Sequence, residues 1–386
     1  MSSSQSLYIE RIIDLGPLLK KKSYFLFGPR QTGKSSLIRH NLSSAKVYDL
    51  LDDKIYLEFN ARPGRLKEEI TDKDKLVVID EIQRIPQLLN EVHLLIEEKG
   101  IRFLLTGSSA RKLRSRGVNL LGGRARETHL HPLVTAELGP RFDLKRALYA
   151  GLIPSIYFSD DVKADLSSYI SNYLTLEIAA EALTRNIPAF TRFMTVAALC
   201  NATIVNFTEV ASDAQVKRTT VYEYFEILKD TYLMRELPPY LQGKKRKPIA
   251  SSKYYFFDIG VVRQLQGREA YTPGTTEYGD AFETFIINEF FAFSDYIHPL
   301  KLSFWRSTSK LEVDLIVNDH SAIEIKGKSL VSSDDIKTLK AISQEHSFKR
   351  LFCVCLETRP RKVGNIEIVP YQDFLKMLWA KKVSLF

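Results

Sequence analysis

One short stretch constrains this chain more than any other. Directly after the apolar run Ser23-Tyr24-Phe25-Leu26-Phe27 comes Gly28-Pro29-Arg30-Gln31-Thr32-Gly33-Lys34-Ser35, which leads into the helix-compatible Ser36-Leu37-Ile38-Arg39. A strand that turns through a glycine-bracketed loop into a helix aims backbone N–H groups and the helix N-terminus at one point, an arrangement suited to phosphate oxygens. In that setting Gly28, Pro29, Arg30, Gln31, Thr32 and Gly33 form the cradle, Lys34 reaches the β- and γ-phosphates, Ser35 ligates magnesium and Ser36 completes the first helical turn. Further apolar runs at 76–79 and 101–105, spaced by polar, helix-compatible stretches, predict an α/β domain built on a parallel sheet.

The second of these runs, Leu76-Val77-Val78-Ile79, ends in Asp80-Glu81. Asp80 is placed to hold magnesium through water, and Glu81 to polarise an attacking water as general base, which separates a hydrolase from a nucleotide holder. The third ends in Thr106-Gly107-Ser108-Ser109 and brings the hydroxyls of Thr106 and Ser108 to the carboxyl edge of the sheet, beside the γ-phosphate. Gly122-Gly123-Arg124-Ala125-Arg126-Glu127 reads as a glycine-flexed loop that offers Arg124 to the transferring phosphoryl group of a neighbouring subunit. Surface charge, or contact with DNA phosphates, is the other reading of Arg124 and Arg126.

Composition bounds the rest. A chain of 386 residues exceeds one ordinary core and predicts two or three domains. With 45% hydrophobic and 26% charged residues it is neither disordered nor fibrous. No apolar run approaches the ~18 residues of a membrane span, and the start Met-Ser-Ser-Ser-Gln-Ser resembles no secretory signal, so a cytoplasmic protein without a membrane partner is expected. The three cysteines, Cys200, Cys353 and Cys355, read as reduced thiols, the last two on one face of a strand. The net charge of +9 favours polyanionic partners, with clusters at Arg111-Lys112-Leu113-Arg114-Ser115-Arg116 and Lys244-Lys245-Arg246-Lys247.

From about 139 to 230 helix-length stretches take over. Phe207 to Ala214 and Val216 to Asp230 read as two helices joined by a short turn, with Val221, Phe225 and Leu228 facing the core. Lys217, Arg218, Thr219 and Thr220 then open the second helix, where helix-turn-helix modules contact DNA. Tyr232 to Leu237 and Lys253 to Asp258 would supply wing strands with the Lys244 to Lys247 run at their tip, although many winged helices bind only protein.

After the turn-rich Gly267 to Gly279 stretch, a helix is followed by strands at 302–306, 311–317, 322–326 and 350–356. Setting Val313 and Leu315 on one face with Ile323 and Ile325 places Asp314 opposite Glu324 and Glu312 opposite Lys326. Like charges facing across a sheet need a cation between them, and magnesium with Lys326 would meet that need, Glu283 adding a further ligand. An exposed cross-strand ion-pair ladder is the alternative.

The series Gly28 to Lys34, Val78-Ile79-Asp80-Glu81-Ile82-Gln83, Leu105-Thr106-Gly107-Ser108, Gly123-Arg124, Leu237-Pro238-Pro239-Tyr240, Phe282-Glu283, Trp305-Arg306, Glu312-Val313-Asp314 and Glu324-Ile325-Lys326 resembles a prokaryotic family over nearly the whole chain. Its members are AAA+-type P-loop ATPases that carry a winged helix and a C-terminal restriction-endonuclease-like domain. The resemblance implies a P-loop parallel sheet over 1–138, a helical lid over 139–190, a winged helix over 191–268 and an α/β endonuclease-like domain over 269–386. It further implies magnesium-ATP held by Lys34, Ser35 and Asp80, hydrolysis through Glu81, and ring-like homo-oligomers, a hexamer for example, that supply Arg124 in trans. Two activities fit. One is a DNA-processing motor with a metal-dependent nuclease site at Asp314, Glu324 and Lys326; the other is an ATP-gated switch or protein-remodelling ATPase whose winged helix and inactive nuclease fold assemble partners.

Overall fold

The computed structural model describes residues 8–111, 113, 121–171, 186–242, 251–309 and 311–380. Lys112, Arg114 and Arg116 of the first basic cluster, and the whole of the second, lie outside the described residues. The chain divides into two compact units, Met1–Leu133 with Asp230–Leu233, and Val134–Lys229 with Met234–Phe386.

The first unit is built on five parallel strands in the order β2-β3-β4-β1-β5. These are β1 (Ser23–Phe27), β2 (Lys46–Asp49), β3 (Leu76–Asp80), β4 (Arg102–Gly107) and β5 (Ala125–His129). Every residue of β1 is buried, as a central parallel strand covered on both faces requires. Phe25 and Phe27, Val77 and Ile79, and Phe103 and Leu105 share one face by the two-residue period of strands and pack with Leu88, Val92 and Leu95 of the helix Leu88–Lys99. Each such side chain contributes about 1.5–3 kcal/mol when fully buried. Because β4 lies between β1 and β3, the ends of all three meet at one edge, which brings Gly28, Asp80 and Thr106 together. The Ala125 to Glu127 part of the expected flexible loop is instead the start of β5, paired with β1 from Ser23↔Ala125 to Phe27↔His129. Its alternation of charged and small residues hides an edge strand. Only Gly122 and Gly123, at φ 49° and 77°, retain the loop character.

In the second unit, helices Leu144–Ala150, Pro154–Tyr157, Val162–Ser168, Ile187–Leu199, Phe207–Asp213 and Arg218–Asp230 precede an antiparallel pair, β6 (Met234–Leu237) and β7 (Lys253–Phe256). The last residue of Arg218–Asp230 is counted with the first unit. A six-stranded mixed sheet follows in the order β12-β13-β11-β10-β9-β8. Its strands are β8 (Leu302–Arg306), β9 (Glu312–Val317), β10 (Ser321–Lys326), β11 (Arg350–Cys355), β12 (Arg361–Val363) and β13 (Ile366–Pro370). The helix Thr276–Tyr296 is apolar nearly all round and packs against both β10 and β7, so residues on either side of 269 belong to one compact unit. Glu289 is buried on that helix and accepts from Thr135 N (2.8 Å), Thr135 Oγ1 (3.0 Å) and Trp379 Nε1 (2.5 Å), tying three distant segments together. Burial, against those three hydrogen bonds, pushes its carboxyl up to about 7. Cys353 and Cys355 are both buried in this unit's core. Among the described residues no helix is long and apolar enough to cross a membrane.

Candidate functional site

The loop after β1 has the backbone that its glycines predict. Gly28 adopts φ 152°, and a Cβ there would lie 2.4 Å from the Leu130 carbonyl oxygen, so no other residue fits without moving the chain. Gly33, at φ 97°, starts the helix Lys34–Asn41 with no side-chain cap, which leaves the helix N-terminus to the loop's own face. Lys34 is buried and folds over the loop, donating to Gly28 O (2.7 Å) and Pro29 O (2.9 Å), while Thr32 Oγ1 donates to Pro29 O (2.9 Å). Ser35 is exposed, and Ser36 accepts from Arg39 at 3.2 Å. The loop is held from behind by a residue the sequence did not single out. The buried Arg11 guanidinium donates to Thr32 O (2.7 Å), His131 O (2.7 Å) and Pro132 O (3.2 Å). Nothing in Tyr8-Ile9-Glu10-Arg11 marks it in advance, because its three acceptors are backbone carbonyls.

The carboxylates at the end of β3 meet this loop. Ser35 Oγ donates to Asp80 Oδ2 at 2.9 Å, and Thr106 Oγ1 makes a short hydrogen bond to Asp80 Oδ1. A hydroxyl and a carboxylate converging in this way are the hard oxygen donors a magnesium ion takes, so the pair fits the ion that accompanies a nucleotide. Glu81 sits at φ 59°, ψ 45°, a left-handed conformation that costs a residue with a Cβ about 1–2 kcal/mol. Its N–H donates to Thr106 Oγ1 at 3.3 Å. Its Oε2 accepts a short hydrogen bond from Gln83 Nε2, which also donates to Ser108 Oγ at 3.2 Å. Burial raises the Glu81 carboxyl, Lys34 opposes the shift and Asp80 adds to it. The structure thus brings Lys34, Ser35, Asp80, Glu81, Thr106 and Ser108 to one edge and adds Gln83 as the group that orients Glu81. Arg124 is elsewhere on this unit, half-buried before β5, and makes a short ion pair with Glu97.

In the second unit the β9–β10 register follows the hydrophobic pattern, from Ser321↔Val317 to Ile323↔Leu315, so Asp314 and Glu324 come next across the ladder. The side chains are not an exposed ladder: Glu283, Asp314 and Glu324 are all buried. Asp314 Oδ2 accepts from Ile325 N at 2.7 Å, and Lys326 Nζ lies 2.6 Å from Glu324 Oε1 and 3.5 Å from Asp314 Oδ2. Lys253 of β7 enters the same cluster, 3.0 Å from Glu283 Oε1 and 2.5 Å from Glu312 Oε1, and Tyr255 donates to Glu283 Oε1 at 2.6 Å. Burial pushes Glu283 up to about 7 against the pull of Lys253, and burial with the Asp314 charge raises Glu324 well above the usual carboxylate range. Glu324 Oε2 is buried with no hydrogen-bond partner, the kind of oxygen a cation would satisfy. Among the described residues no three His, Cys, Asp or Glu side chains already converge as a metal cage.

The two helices of the middle region are Phe207–Asp213 and Arg218–Asp230, with Val221, Phe225 and Leu228 buried. Lys217, Arg218 and Thr219 are exposed at the start of the second, Thr220 is half-buried, and Arg218 donates to Tyr222 OH at 3.0 Å.

Residues 20–139 match the family described as an AAA domain. Residues 141–272 and 278–374 match two families described as domains of unknown function, DUF8612 and DUF4143. Uncharacterized proteins of Mycobacterium bovis and Mycobacterium tuberculosis are each 28% identical over 305 residues, a match covering 76% of this chain and 66% of each relative. The alignment therefore takes in just under two thirds of those relatives' length. A structure of the Aeropyrum pernix ORC1 protein in complex with DNA is 12% identical and covers 68% of this chain and 93% of that chain, but at a TM-score of 0.27 the likeness carries no argument. The AAA-domain match and the loop geometry make residues 20–139 an AAA-type P-loop ATPase domain.

Proposed function

We propose that the protein is a magnesium-dependent ATP hydrolase that works on DNA as a homo-oligomer. The observation that carries this reading is the set Ser35, Asp80, Thr106, Glu81 and Gln83 at one sheet edge beside the glycine loop. Magnesium bound with ATP would supply positive charge against the phosphates. The chain does the remainder. The N-terminus of Lys34–Asn41 and the Lys34 ammonium bind the phosphates, Ser35 and Asp80 hold the ion, and Glu81 takes the proton of the attacking water. Gln83 and Ser108 keep the Glu81 carboxylate pointed at that water. Arg124 is the group offered to a neighbouring subunit's phosphates.

The DNA reading is supported by the net charge of +9 and by Lys217, Arg218 and Thr219 exposed at the start of a helix that follows a short turn, as a winged helix would present them. In the C-terminal sheet, Asp314 and Glu324 would hold a divalent cation that polarises a phosphodiester oxygen, with Lys326 beside them to stabilise the developing charge. The test is ATP turnover with magnesium, without DNA and with single-stranded, duplex or four-way-junction DNA at low and moderate salt. Stimulation by one DNA form that fades with salt supports the proposal. A rate indifferent to every DNA form leaves the ATPase in place and favours a switch that acts on a protein partner.

A further inference from the structure

The acidic cluster of the second unit contains a cation that its own sheet does not supply. Lys253 comes from β7, in the region matching DUF8612, whereas Glu283, Glu312, Asp314 and Glu324 all lie in the region matching DUF4143. Its side chain is 3% exposed and runs beside the Phe304 ring, 5.6 Å from the centroid. A buried ammonium is costly unless it is paired closely with carboxylates, and here it is bracketed by Glu283 Oε1 and Glu312 Oε1 at 3.0 and 2.5 Å. Tyr255, two residues along the strand and so on the same face, donates to the same Glu283 oxygen at 2.6 Å. Arg306 takes the other Glu312 oxygen at 3.0 Å.

The cluster is therefore divided. On one side, Lys253 and Tyr255 share one Glu283 oxygen, Oε1, and Lys253 and Arg306 take the two oxygens of Glu312. On the other, Asp314 and Glu324 share Lys326, which sits closer to Glu324 Oε1 (2.6 Å) than to Asp314 Oδ2 (3.5 Å), and Glu324 Oε2 is buried and unpartnered. Oxygen acceptors left unsatisfied in a buried site carry a desolvation cost that a hard cation removes. Among the described residues of the cluster, the fully buried oxygen without a partner is Glu324 Oε2, on the Asp314 side.

We propose that Lys253 is a resident cation of this site: it takes Glu283 and Glu312 for itself and leaves Asp314 and Glu324 to bind one divalent cation. The assignment rests on reading Asp314 and Glu324 as a cation pair, and it moves Glu283 from metal ligand to counter-ion of the lysine. Lys253 also makes the strand pair β6 and β7 part of the site, so a change in that pair's position would alter the cluster's charge.

The test counts Mn2+ bound to the full chain without nucleotide, by equilibrium titration read by electron paramagnetic resonance. The wild type is expected to bind one Mn2+ that is lost in Asp314→Asn. Lys253→Met is expected to bind one more than the wild type, because Glu283 and Glu312 are released. Glu312→Gln keeps the lysine anchored on Glu283 and is expected to hold the Asp314-dependent ion within about threefold of wild-type affinity, whereas removal of a ligand or its support costs tenfold or more. No Asp314-dependent ion in the wild type would overturn the cation-pair reading itself. One ion in both wild type and Lys253→Met, two Asp314-dependent ions in the wild type, or a tenfold loss in Glu312→Gln would overturn the role of Lys253 and leave the pair intact. If Lys253→Met does not fold, the wild-type count and Glu312→Gln decide the question.

Discussion

Substituting Gly107 by alanine disturbs Glu81, the proposed water-activating base, without touching the phosphate loop. A Cβ at this position would stand 2.4 Å from Gln83 Oε1 and 3.3 Å from Gln83 Cδ, far inside contact distance. Phe27 lies 3.5 Å away on another side, so the amide must swing out of its present place. It then gives up its hydrogen bonds to Glu81 Oε2 and Ser108 Oγ. A hydrogen bond to a charged group contributes about 1.5–3 kcal/mol. With 1.36 kcal/mol for each factor of ten in rate, loss of Glu81 orientation lowers turnover about 10–100-fold. Nucleotide affinity should stay within about threefold, because Lys34, Ser35 and Asp80 keep their partners and the phosphates are bound through charge and backbone donors. The assay is single-turnover ATP hydrolysis beside equilibrium binding of a fluorescent ATP analogue, with Gln83→Leu as companion. Wild-type turnover in a folded Gly107→Ala chain, or equal losses in binding and turnover, would refute the role given to Gln83.

Lys34→Ala is expected to weaken nucleotide binding about 10–100-fold, measured with the same analogue, since it removes a charge-assisted contact to phosphate. Glu289 yields a pH dependence: its folded carboxyl titrates at about 7, above its unfolded value, so the folded state holds the proton more tightly. The stability this contributes is complete below about pH 4 and lost as pH rises through 7, a fall of about 3 kcal/mol across the window. Urea unfolding at pH 5 and pH 8 should show that fall in the wild type and a flatter profile in Glu289→Gln, and equal slopes would contradict it. Lys217→Ala should lower the salt slope of DNA binding by about 1 and leave DNA-free ATP turnover unchanged, and an unaltered slope would remove Lys217 from the DNA interface.

The parallel sheet and the nucleotide edge were legible because their signals are local: a fully apolar β1, a glycine loop after it and an acidic pair closing β3. The register of β9 on β10 was legible for a related reason, since a slip of one residue would turn Ile323 and Leu315 out of the core. Strands β2 and β5 escaped notice because edge strands need bury only part of their surface, and Ala125 to His129 carries an arginine, a glutamate and a histidine. Arg11 and Lys253 escaped for a different reason. Arg11 meets carbonyls 21 and 120 residues away, and Lys253 meets carboxylates 30 and 59 positions on, so each contact exists only once the chain is folded. Gln83 was visible within the motif, but its task was not, because its neighbour Ser108 arrives from β4.

The most direct test of the central claim is ATP turnover by Glu81→Gln with magnesium, measured alongside ATP binding. Glu81 is assigned the proton of the attacking water, so the variant should bind ATP as the wild type does and hydrolyse it at least about 100-fold more slowly, at the lower end of what a positioned general base supplies. Hydrolysis at the wild-type rate would contradict the assignment of this edge as a hydrolytic site with Glu81 as its base.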